Sequence, residues 1–155
     1  MDREAEQFIQ ELESRFNGPL TYRTYSTWFA SSDGLVRDFG VFVFKINDVF
    51  HYEDFERKPS MFGFALKPSK KQKPYVKMEG SFTAEEVINI STVTKNAAFA
   101  CANGYLKAED IPEASLLKKF FSRLVSKVDL KSGTTLFFEF INQKEFANAL
   151  KGESK

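Results

Sequence analysis

The last quarter of the chain, Lys127 to Leu150, confines the fold more tightly than any other stretch. Within about two dozen residues the apolar spacing changes from period 2 to period 3.6. Val128 and Leu130 alternate with Lys127, Asp129 and Lys131, which predicts a strand. Lys131-Ser132-Gly133 supplies a turn. Leu136, Phe138 and Phe140 then share one face of a second strand, with Glu139 on the other. Asn142 is placed to start a helix over 143–150 whose inward face is Phe146, Ala149 and Leu150. This unit marks where the fold closes.

Upstream, residues 3–16 read as an amphipathic helix. Ala5, Phe8, Ile9, Leu12 and Phe16 form one stripe with acids opposite. Asp2 can cap it, and Asn17-Gly18-Pro19 stops it. Leu20 to Phe29, rich in Tyr, Thr and Trp, suits a strand. Ser31-Ser32-Asp33-Gly34 turns the chain, and Leu35 to Ile46 returns as a strand whose Val41-Phe42-Val43-Phe44 run is apolar on both faces. Asn47-Asp48 turns it again. Val49 to Phe55, Met61 to Leu66 and Tyr75 to Glu79 are further strands, the last two expected to pair across the loop Lys67 to Pro74. Thr83-Ala84-Glu85-Glu86 has capping-box spacing, yet the β-branched residues in Val87 to Val93 favour a strand there. Asn96 to Lys107 gives no clear pattern. Pro112 opens a helix through about Leu124 with apolar positions Leu116, Leu117, Phe120, Phe121 and Leu124.

The expected architecture is α+β: a mainly antiparallel sheet curled into a barrel or roll, with an N-terminal helix, a helix near 112–124 and a C-terminal capping helix. A length of 155 residues fits one domain over 1–155, the helix at 3–16 leading a β-rich body over 20–151. Eighteen phenylalanines are unusual. A Phe-rich core is the expectation, and a partner surface made of exposed rings is the alternative.

The final hairpin and helix resemble the pleckstrin-homology-like (PH-like) superfold, including its bacterial versions and GRAM domains. In that family the last helix plugs one open end of a barrel with an aromatic followed by an Ala-Leu pair, and Phe146, Ala149 and Leu150 are similar to that plug. The family's phosphoinositide site needs cations around the loop between the first two strands. Here that loop reads Ser31-Ser32-Asp33-Gly34, so the resemblance implies no lipid headgroup site there. The leading helix and the helix near 112–124 are additions to the family pattern. The superfold hosts many unrelated partners and does not fix a function.

Chemistry-bearing motifs are sparse. No GxGxxG, GxxxxGK[ST] or GxSxG run occurs. His51 is the only histidine, beside Tyr52-Glu53-Asp54, and the sequence supplies no nucleophile or orienting group for it. Cys101 is the only cysteine, which rules out an internal disulfide; its small apolar neighbours point to a buried, inert thiol. No catalytic residue, cofactor or metal is expected.

Charge is nearly balanced, 22 basic against 21 acidic residues, which does not advertise a nucleic-acid partner. Residues 1–60 hold 7 basic and 11 acidic groups, residues 61–100 hold 6 and 3. Much of that central excess is the run Lys67-Pro68-Ser69-Lys70-Lys71-Gln72-Lys73-Pro74, with Lys77 beyond it. Lys67, Lys70, Lys71, Lys73 and Lys77 are therefore the candidate anion contacts, for which a solvated hairpin tip is the alternative. The charged N-terminal residues do not fit a signal peptide, no apolar run reaches the length of a membrane span, and the cytoplasm is the expected location.

Three functions fit these features. The first is a non-enzymatic PH-like adaptor that engages a protein partner. The second is peripheral binding to anionic lipid or another polyanion through the lysine loop. The third is an enzyme whose site assembles near His51.

Overall fold

The structure is a computed structural model that describes residues 3–38, 40–54 and 77–152. The elements in chain order begin with helix α1 (Arg3–Phe16) and strands β1 (Leu20–Ser31), β2 (Val36–Arg37), β3 (Val41–Ile46), β4 (Val49–Asp54), β5 (Glu79–Thr83) and β6 (Val87–Thr94). Helices α2 (Lys95–Ala102) and α3 (Leu116–Phe121) come next, then β7 (Leu124–Leu130), β8 (Thr135–Phe140) and α4 (Gln143–Leu150).

Among the described residues all strand pairings are antiparallel, in the order β5-β4-β3-β1-β8-β7-β6, with the short β2 pairing with β1. β5 and β6, at the two edges of the sheet among the described residues, are consecutive in the chain, joined by a 3-10 turn over Ala84–Glu86. Thr83 and Val87 are therefore at most about 14 Å apart. A short link between opposite edges requires the sheet to curl into a half-barrel.

β1 makes the curl possible. Its first half pairs with β3, its second half with β8, and the ladder shifts between Ser26 and Phe29. At that irregularity the buried Ser26 hydroxyl donates to the Trp28 carbonyl and accepts from the Glu139 amide at 2.9 Å. The side chain thus supplies partners that the interrupted ladder leaves unmet.

Three apolar layers follow from the alternation. Inside the curl lie Phe29, Val41, Val43, Phe50, Phe82, Val128, Leu136, Phe138 and Phe140. α4 closes this interior: Phe146 is fully buried, with its ring 4.4 Å from Phe140 and 5.7 Å from Phe50. The Asn142 side chain caps α4 by accepting from the Glu145 amide at 3.2 Å. The inward face expected from Phe146, Ala149 and Leu150 is the one that packs here.

The outer face of β3 carries Phe42, Phe44 and Ile46, which α1 covers with Phe8, Leu12 and Phe16. The two-sided apolar run is thus explained: one side faces the curl and the other faces α1. The β3–β4 turn has Asn47 and Asp48 at φ 54° and 62°, as a tight two-residue hairpin demands. The Asn47 amide donates to the Phe16 and Asn17 carbonyls at 3.1 and 3.2 Å, so the turn also satisfies the end of α1.

The third layer lies on the outer face of β1, β6, β7 and β8. Trp28, Ala30, Val93, Val125 and Phe137 are covered by Ala98, Cys101 and Ala102 of α2, with Ile111 beside them. The stretch 96–107, patternless in sequence, begins as this helix. Its apolar residues are mostly alanine, so the stripe that marks a packed helix is faint.

Some expectations change in detail. The predicted strand Leu35–Ile46 is two strands, β2 and β3, and the fifth strand spans Glu79–Thr83. The helix near 112–124 is six residues long. The predicted strand Met61–Leu66, and its pairing with Tyr75–Glu79, lie outside the described residues except at Lys77–Glu79.

Candidate interaction surface

α3 departs from the pattern of the rest of the molecule. Its sequence is Leu-Leu-Lys-Lys-Phe-Phe, and at 100° per residue the four apolar side chains span one arc of about 140° with both lysines opposite. Such a stripe reads as a core face. Instead Leu116 is 77%, Leu117 70%, Phe120 83% and Phe121 81% exposed. Burying a side chain of this size is worth about 1.5–3 kcal/mol, and none of the four receives it from this chain's described residues. The stripe is therefore an exposed apolar arc and not part of the core.

The helix is held firmly at its base. The Ala114 amide donates to the Thr92 carbonyl at 2.8 Å, and the Lys95 amide donates to the Arg123 carbonyl at 2.9 Å. Between these tethers every residue from Ser115 to Ser122 is exposed. The Ser115 hydroxyl accepts from the Lys118 amide at 3.3 Å and caps the first turn.

Electrostatics fix the near side. Glu139, whose side chain is 12% exposed, accepts from Arg123 at 3.1 Å, Lys95 at 3.4 Å and the Thr27 hydroxyl at 2.8 Å. Lys95 also lies 5.1 Å above the Trp28 ring, a cation–π contact. Lys118 and Lys119 have no ion-pair partner among the described residues. Ile141, 79% exposed, follows β8 at the same end of the β7–β8 pair from which α3 departs. This end presents five large apolar side chains with cations beside them.

The residues singled out in the sequence lie elsewhere. Lys67, Lys70, Lys71 and Lys73 lie outside the described residues. Lys77 is described, and its Nζ is 3.7 Å from Glu53, which also accepts from Arg15 at 2.9 Å. Lys77 is thus part of an ion-pair cluster that ties α1 to β4.

His51 sits on the outer face of β4, its ring 4.0 Å from Phe16 and 5.1 Å from Phe44. Burial, then the charge of Arg15, pushes its pKa below the ordinary value, with Glu53 opposing. The ring acts as a packing element.

Cys101 is 4% exposed and burial raises its pKa. It lines a groove of about 630 Å³ with Lys127, Asp129 and Thr135. Lys127 is nearly buried and bonds Asp129 at 2.9 Å, and the Thr135 hydroxyl donates to the same carboxylate at 2.8 Å. Lys127, Asp129 and Thr135 thus satisfy one another. The fold brings a cation toward a thiol whose sequence neighbours are apolar, yet desolvation outweighs it.

Among the described residues no group of three His, Cys, Asp or Glu side chains could hold a metal ion, and no helix is long and apolar enough to cross a membrane. The sequence identifies the apolar residues of α3 but does not say whether they are covered. The signal available was the run itself: Lys118, Lys119 and Arg123, with no acid between Ala114 and Val128.

Comparison with protein-family models, with curated proteins and with solved structures finds no match to this chain.

Proposed function

We propose that the chain is a PH-like binding module that works by contact rather than by catalysis, and that the α3 end is its contact surface. The strand order supports the PH-like part. Leaving aside β2, a four-strand meander (β1, β3, β4, β5) meets a three-strand meander (β6, β7, β8) through the pairing of the first strand with the last. The helix that follows plugs the interior with Phe146. α1, α2 and α3 are then additions to a barrel scaffold.

The observation that carries the binding role is the exposure of Leu116, Leu117, Phe120 and Phe121 on one short helix tethered at both ends. Contiguous exposed apolar surface of this kind marks an interaction site. Groups with catalytic potential are engaged otherwise: His51 between rings, Glu53 in ion pairs, Cys101 in the buried face of α2. A cytoplasmic location belongs to the same proposal, since a lone thiol suits a reducing compartment.

Site-specific photo-crosslinking tests this reading. A benzoylphenylalanine at position 120 should give an adduct in the cells that express the protein. The same group at the exposed Ser132, in the turn at the far end of the β7–β8 hairpin, should give none. No adduct from position 120 overturns the reading.

A further inference from the structure

We infer that the partner of α3 is an anionic lipid surface, into which Leu116, Leu117, Phe120 and Phe121 insert while Lys118 and Lys119 meet the headgroups. This rests on the reading of the α3 end as the contact surface and names what it contacts.

Charge complementarity selects the lipid. From Ala114 to Val128 the chain carries Lys118, Lys119, Arg123 and Lys127 and no acid. Lys127 is spent on Asp129 and Arg123 on Glu139, which leaves the two lysines of α3 itself facing solvent. Glu139, at the base of the helix, is offset by Lys95 and Arg123. Glu113 lies beyond the Ala114 tether. A single apolar arc with lysines on the opposite side is the arrangement of a helix lying in the plane of a membrane interface, where long cationic stems reach back to the headgroups.

Size argues the same way. A six-residue helix is about 9 Å long. Four half-covered side chains of this kind bury about 300–400 Å², at most half of the roughly 800 Å² per partner that a stable protein interface uses. A bilayer demands no complementary groove, and an interfacial helix enters it by only about 5–10 Å. The tethers at Ala114 and Arg123 hold it in place beforehand, which lowers the ordering cost of insertion.

Vesicle co-sedimentation decides the matter, with phosphatidylcholine vesicles and with phosphatidylcholine–phosphatidylserine vesicles as probes. The whole chain should sediment with the mixed vesicles at low salt, weakly with the neutral ones, and less as salt rises. Lys118→Gln/Lys119→Gln should lower partitioning to the mixed vesicles about thirtyfold. Phe120→Ser/Phe121→Ser should lower it at least about tenfold on the same vesicles. Unchanged far-ultraviolet circular dichroism and thermal midpoint in both variants show that folding is not the cause. No sedimentation of the wild-type chain with the mixed vesicles at low salt overturns the inference. Binding that survives the Phe120→Ser/Phe121→Ser change overturns it as well. A protein adduct from position 120 in the crosslinking experiment, with no vesicle binding, removes the lipid and leaves the contact surface standing. No adduct at all removes both.

Discussion

Arg123 reaches Glu139 at 3.1 Å across the β7–β8 pair, at the point where the chain returns from α3 into the sheet. The arginine side chain is 72% exposed and the glutamate 12%, so the carboxylate is the fixed partner. Lys95 and Thr27 converge on the same group, joining β1, α2, β8 and the residue that leads into β7 at the base of the exposed helix.

Glu139→Gln keeps the shape of this hub and removes its charge. The expected loss is about 1.5–3 kcal/mol in urea denaturation, the scale of hydrogen bonds to a charged group. Lys95→Ala should cost less in the Glu139→Gln background than in the wild type, because the two positions share one interaction. Strict additivity of the two changes would contradict a shared hub.

Two phenylalanines should behave oppositely. Phe146→Ala empties the fully buried plug among Phe140, Phe50 and Phe138 and should cost about 3–5 kcal/mol. Phe120→Ala removes an exposed ring and should change stability by no more than about 0.5 kcal/mol. Equal denaturation midpoints for the two variants would refute the assignment of plug and surface.

The depressed pKa of His51 gives a signed pH dependence. Protonation is less favourable in the folded chain than in the unfolded one, whose histidine titrates near 6.5. The unfolded state therefore binds more protons as pH falls through that value, and the stability contributed by the neutral ring is lost. Denaturation curves between about pH 7.5 and 5 should show the wild type weakening relative to His51→Phe. A wild type that gains stability over this range relative to the variant would reverse the sign.

Cys101 is a buried residue of α2 with a raised pKa, so little thiolate is available to react. A thiol reagent at neutral pH should label it slowly until denaturant is added, then rapidly. Fast labelling of the native chain would show that the Lys127 groove exposes or activates the thiol.

Much of the fold was legible because it is written locally. The hairpin from Lys127 to Phe140 and the stripe Phe146/Ala149/Leu150 each declare a period and a turn, and the structure has them as strand, strand and plug. The apolar run Val41 to Phe44 declared two covered faces, and α1 explains the second. α2 was not legible, because alanines packing closely on Phe137 and Trp28 leave no large-residue stripe. Lys127 read as solvent-facing by alternation, yet α2 covers that face. For α3 the pattern stated correctly that Leu116, Leu117, Phe120 and Phe121 share a side. Periodicity specifies which residues lie together; it does not specify whether the chain folds back to cover them.

Insertion of α3 can be observed directly by fluorescence. Trp28 is the only tryptophan and is 2% exposed, so it gives a constant background. A Phe120→Trp chain places a second indole on the apolar arc. On titration with phosphatidylcholine–phosphatidylserine vesicles its emission should shift to the blue and be quenched by bromine on the upper acyl carbons. An emission maximum that stays at its solvent-exposed position, with no quenching at saturating vesicle, would contradict the account.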